Sequence, residues 1–87
     1  MRDKNLLQFP CIFPVIAMGG NKDTLFRQHV EEIIGRVSSF NREDIHEKSS
    51  RTGKYLSVTV EVFVENRENL ENIYQALKSS KRILMTL

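Results

Sequence analysis

The residues able to do chemistry are few and far apart. His29 and His46 are the only imidazoles, and Cys11 is the only thiol. A zinc or calcium site needs several ligands at short spacing, such as a CxxC pair or a compact acidic loop. Neither pattern occurs, nor does HxxxH. His29 stands three residues before Glu32, one helical turn, which reads as a solvated pair. Cys11 would need a neighbouring base and an electropositive setting to act as a nucleophile. It opens the apolar run CIFPVIAM instead, as an inert buried strand cysteine would. The serine pairs at 38–39, 49–50 and 79–80 fit loops or helix ends, and none sits in a GxSxG elbow. Glu31-Glu32 and Glu43-Asp44 are neighbours in sequence, not an acid–base couple. No catalytic, metal-binding or cofactor-binding residue is assigned, and the chain is expected not to be an enzyme.

Two stretches could bind something. Gly19, Gly20 and Asn21 lie between an apolar strand and a helix, where free N–H groups and the positive dipole end attract anions. They form the candidate effector turn. Neither GxGxxG nor GxxxxGK[ST] is present, and glycines permitting positive φ are the simpler reading. The second stretch, Ser49 to Val60, reads SSRTGKYLSVTV. Arg51 and Lys54 make a candidate basic hairpin, and Tyr55 opens an alternating strand. RNA-recognition motifs carry basic–Gly–aromatic–x–aromatic on such a strand. Here, placing Tyr55 in the first stacking position puts Ser57 in the second. Placing Gly53 at the glycine position puts Lys54 and Leu56 there. One aromatic is a poor platform for two bases, so nucleic acid is the weaker reading.

The 87 residues suit one domain, residues 1–87, with an irregular lead-in over 1–9. A chain this short buries only about 60% of its unfolded surface, leaving little room for a large internal pocket. Hydrophobic residues at 40% and charged residues at 28% fit a globular protein. Thirteen basic against 11 acidic residues give a net charge of +2, so a nucleic-acid surface would need its positive charge focused on one face. The lone cysteine suits a reduced, cytoplasmic setting. No apolar run approaches a membrane span, and the one in MRDKNLLQFP is too short for a signal peptide.

These residues must be positioned by six elements. Cys11–Met18 reads as a buried strand, firm from Val15 because Pro14 cannot donate to a ladder; Gly19-Gly20-Asn21 breaks it. Leu25, Phe26, Val30, Ile33, Ile34 and Val37 form one apolar helical stripe, capped by Asn21 or Asp23. Gly35 is an interior weakness that a close approach to the sheet would explain. Lys54–Val64 alternates cleanly, with Phe40–Lys48 as its polar, edge-strand hairpin partner. Asn66 caps a second helix with Leu70, Ile73, Tyr74 and Leu77 on one side, Ser79-Ser80 ends it, and Ile83–Leu87 is a final strand.

Strand–helix–strand–strand–helix–strand, with both helices apolar on one side, predicts an α+β ferredoxin-like βαββαβ sandwich. Two helices cover one face of a four-stranded antiparallel sheet. The other face is open. Parity puts Phe13, Val15, Ala17, Leu56, Val58, Val60 and Val62 inward, together with Ile83, Met85 and Leu87. It puts Ile16, Met18, Tyr55, Ser57, Phe63 and Leu84 outward as a candidate interaction face, beside Thr59, Glu61 and Thr86.

The chain resembles the YbeD-like family of small bacterial proteins of unknown molecular function. The resemblance is carried by Phe9-Pro10, Met18-Gly19, Ser49-Ser50 with Gly53, Tyr55 and Ser57, and the ending Met85-Thr86-Leu87. Departures are Gly20, the lack of proline at the start of the first helix, and Ile16 where a basic residue is common. The resemblance implies a ferredoxin-like fold similar to ACT regulatory domains, which bind small effectors between paired subunits beside the strand-to-helix turn. It also implies a genomic association with lipoate metabolism. The expectation is a regulatory or adaptor protein acting through its open face or an edge, with a protein partner or as a homodimer. A small effector at Gly19-Gly20 is the alternative, and RNA the second alternative.

Overall fold

The structure, a computed structural model, describes residues 8–87. Residues 1–7 of the expected lead-in lie outside the described residues. The elements run β1 (Cys11–Gly20), α1 (Phe26–Gly35), β2 (Ser39–Ser49), β3 (Tyr55–Val64), α2 (Arg67–Lys78) and β4 (Met85–Thr86). The strands form one antiparallel sheet in the order β2-β3-β1-β4. This is the α+β sandwich that the element order predicts.

The core lies between the helices and one sheet face. Val15 and Ala17 of β1 pair with Val60 and Val58 of β3, and all four are fully buried. Phe26, Val30, Ile33 and Ile34 of α1 and Leu70, Ile73 and Leu77 of α2 close over them. Each such side chain removed from water contributes about 1.5–3 kcal/mol, and valine, stiff at χ1, fits a pleated surface well. The α2 start is as expected: the Asn66 side chain accepts the Asn69 N–H at 2.8 Å. The Asn69 amide in turn bonds Val37 O, while its oxygen accepts from Glu65 N and from the Ser38 hydroxyl. That network ties α2 to the segment between α1 and β2.

Several expectations change. β1 pairs with β3 from Cys11, not from Val15. The even-numbered residues of β1 aim their backbone groups at β4: Ile16 exchanges bonds with Leu87, and Met18 O accepts from Leu84 N. Pro14 points the same way, beyond the stretch of β1 that pairs with β4, so its missing N–H costs no ladder bond. Gly19 and Gly20 do not break the strand; they pair with Leu56 and Tyr55. Leu25 is exposed, outside the stripe, and it caps α1 without a side-chain bond, although Asp23 accepts its N–H at 3.2 Å. Gly35 is the last residue of α1, and a Cβ there would meet only the Phe40 ring, at 3.9 Å. No close approach to the sheet explains it.

β2 is irregular. Phe40 pairs with Val62 and Ile45 with Val60, so residues 41–44 bulge out of the ladder. The bulge keeps both apolar side chains of this polar edge strand on the helix side. From it, Arg42 reaches Glu31 of α1 at 3.5 Å.

Candidate functional site

The uncovered sheet face is built by strand parity. Directly paired residues share a face, so Ile12/Phe63, Pro14/Glu61, Ile16/Thr59, Met18/Ser57 and Gly20/Tyr55 all point away from the helices. Ile16, Met18, Tyr55, Ser57 and Phe63 therefore lie together on the open face. Leu84 does not join them by register. It precedes β4 and is exposed at the sheet margin. The parity assigned to the last strand is reversed: Met85 pairs with the outward Met18, and Thr86 with the buried Ala17. Leu87, bonded to Ile16, continues the Met85 side, while Ile83 packs against the core. The short β4 starts only after the turn at Ser80–Ile83, and that turn sets its phase, which counting from the helix end misses. Met85 and Leu87 thus add apolar surface beside Met18 and Ile16.

At the hairpin end of this face is a hollow of about 430 Å³ lined by Met18, Lys48, Ser49, Ser50, Arg51, Tyr55 and Ser57. The hairpin loop positions these groups. Ser50 N bonds Tyr55 O at 2.8 Å, and Ser50 Oγ accepts the Tyr55 N–H at 3.1 Å. Gly53 supplies φ 78°, the positive value that the loop requires. Ser57 donates to Lys48 O. Sequence reasoning pairs Arg51 with Lys54 as the basic hairpin. The structure places Arg51 at the hollow, joined by Lys48, while Lys54 gives its carbonyl to Asn21 N at 2.9 Å. Counting back from the hairpin loop to the partner of Ser57 would have found Lys48.

The candidate effector turn looks different. Gly19 is buried, and a Cβ there would overlap the Phe26 ring; neither Gly19 nor Gly20 has positive φ. Its smallness serves packing. Asn21 donates its side-chain amide to Gly53 O at 3.0 Å, joining the turn to the hairpin. Asn21 also borders an open groove of about 910 Å³ between α1 and β2. There Arg27 bridges Glu31 at 3.2 Å and Glu47 at 2.8 Å.

His29 is not a solvated partner of Glu32. Its Nε2 lies 2.7 Å from Ser80 Oγ, half-buried. Burial, then the nearby Arg82 guanidinium, holds its pKa below the ordinary value of 6.5. Arg82 makes a bidentate pair with Asp23, both bonds at 2.8 Å, and holds that carboxyl below its usual range. His46 is exposed on the open face opposite Thr59. Cys11 is half-buried at the start of β1, on the core side opposite Val64.

Residues 4–87 match the family described as "Protein of unknown function (DUF493)". The chain belongs to this family. A UPF0250 protein of Nitrosomonas europaea is 33% identical over 88 residues, spanning 100% of both chains. A UPF0250 protein of Neisseria meningitidis serogroup C is 34% identical over 83 residues, 95% of this chain and 91% of the relative. The YbeD-like resemblance is thereby borne out. The solution structure of protein HP0495 from H. pylori is similar, with a TM-score of 0.69 over 93% of this chain and 85% of that one, at 22% identity. That likeness supports the ferredoxin-like fold. None of these relatives bears the name of an enzyme family.

The residues that carry the DUF493 resemblance have physical roles here. Gly19 makes room for Phe26, Ser50 and Gly53 shape the hairpin, and Met18, Tyr55 and Ser57 line the hollow. Phe9 packs against the core and lies under the Arg67 guanidinium, 5.9 Å from its ring centre. Ile16 faces outward opposite Thr59.

Proposed function

We propose that this DUF493 chain is a non-enzymatic regulatory or adaptor module. It binds a protein partner, or a second copy of itself, through the open sheet face. One observation carries this reading: Ile12, Tyr55, Phe63, Met85 and Leu87 are 40–62% exposed around a face that no helix among the described residues covers. Contiguous apolar surface of this kind marks interaction sites on small proteins. The association with lipoate metabolism that the resemblance implies says where to look first for the partner. The test is an affinity pull-down from native lysate, with the wild type and a Tyr55→Ala, Phe63→Ala variant side by side. A specific protein retained by the wild type and lost by the variant supports the reading. An identical set from both, or none from either, contradicts it.

A small effector is the second reading, favoured by the groove that Asn21 borders. Its floor includes Leu56 and Phe40 under paired charges, a polar and apolar mixture suited to a small zwitterion. A ligand that binds only the native state raises the melting temperature by mass action. A thermal-shift screen of amino acids and lipoyl compounds without a hit overturns it.

A further inference from the structure

Resting on the reading that the open face binds a protein, we infer that the partner presents an acidic amphipathic peptide segment. Its carboxylates meet Lys48 and Arg51, and its apolar side chain enters the hollow beside Met18 and Tyr55.

Charge complementarity argues for this occupant. Arg27, Arg42 and Arg82 each have a carboxylate within 4 Å. Among the described residues Lys48 and Arg51 have none, yet both line the same hollow. Two of the serine hydroxyls there are already engaged: Ser57 donates to Lys48 O, and Ser50 accepts from Tyr55 N. The charged groups available there to a polar ligand are the two cations, beside the thioether of Met18 and the Tyr55 ring. A thioether adapts to varied aliphatic and aromatic shapes, and arginine reads a carboxylate bidentately.

The rest of the face favours a peptide over nucleic acid. Glu61 points outward on β3, six residues beyond Tyr55 or about 20 Å along the strand. A phosphate backbone following the strand would meet that carboxylate, whereas a peptide with its acidic groups at one end would not. Tyr55 is also the only aromatic residue lining the hollow. Between the two ends the outward surface is Ile16, Thr59, Met85 and Leu87, with His46 beside Thr59, a mainly aliphatic surface with one imidazole.

The test titrates the isotope-labelled full chain with two short synthetic peptides, one with glutamates at one end followed by leucines, the other with lysines in place of the glutamates, and with a short oligouridine. The glutamate peptide should shift the amides of Met18, Lys48, Arg51 and Tyr55, and bind more weakly as salt rises. Lys48→Glu with Arg51→Glu should weaken it at least about tenfold, and the milder Lys48→Ala, Arg51→Ala pair should weaken it less. The folded state of both variants is read from the same spectra. Equal binding of both peptides, no shift with the glutamate peptide, an unaffected charge-reversal variant, or tighter binding of oligouridine each overturns the inference. So do concentration-dependent shifts of the chain alone across this face, which would make a second copy the occupant. Shifts at Ile12, Ile16 and Phe63 without charge preference overturn the acidic partner while sparing the open-face reading. That reading fails separately, by the pull-down.

Discussion

Gly19 and Phe26 share a space that admits no side chain on residue 19. A Cβ built there would overlap Cε1, Cζ and Cδ1 of the ring, while Gly20 next to it has nothing within 4 Å. Phe26 is fully buried at the start of α1. The contact therefore sets how closely the first helix approaches the sheet. Gly19→Ala should cost about 1–3 kcal/mol through overpacking. Gly20→Ala should stay within about 0.5 kcal/mol. Urea denaturation of the two variants beside the wild type checks the contrast.

Gly53 is a different kind of glycine. Its surroundings are open, and its constraint is φ 78°. Gly53→Ala should cost about 1–2 kcal/mol from left-handed strain alone. Gly53→Asn should recover part of that loss, because asparagine tolerates this region. The same denaturation measurement separates the two.

His29 makes stability depend on pH. Burial first, then Arg82, favours its neutral form, so its folded pKa lies below 6.5; Arg36 adds to this, and Asp23 and Glu32 oppose it. The unfolded chain then takes up the proton first as pH falls. The stabilisation is complete above pH 6.5 and is lost as pH falls through the folded value. Thermal melts from pH 8 to pH 5 should show this decline, and His29→Gln, which can still bond Ser80, should flatten it.

The Arg27–Glu47 bridge joins α1 to the edge strand with both side chains partly exposed, at 40% and 38%. Solvent screens such a pair, so a double-mutant cycle to alanine should give a coupling of about 0.2–1 kcal/mol, smaller at high salt.

Much of this architecture is legible in the residues themselves. The valines at 58, 60, 62 and 64 alternate with Ser57, Thr59, Glu61 and Phe63, so their face follows from a period of two. Asn66 precedes a helical stripe and caps it. Three features escape for physical reasons. The bulge at residues 41–44, from which Arg42 reaches Glu31 of α1, is announced by no local pattern in β2. The phase of β4 is set by the turn at Ser80–Ile83 and its pairing with β1, not by its own residues. Pro14 is tolerated only because β4 stops short of it, a property of the whole sheet. At the candidate site, Tyr55 and Ser57 follow from alternation. Lys48 and Met85 need the register across strands.

The open face is tested most directly by placing a photo-crosslinking residue at Met85 or Tyr55 and, as a control, at Gln75, which is exposed on α2. Irradiation in native cells should give a discrete cross-linked species from the two sheet positions and none from the helix. Cross-linking at Gln75 alone, or none at Met85 and Tyr55, would contradict the account.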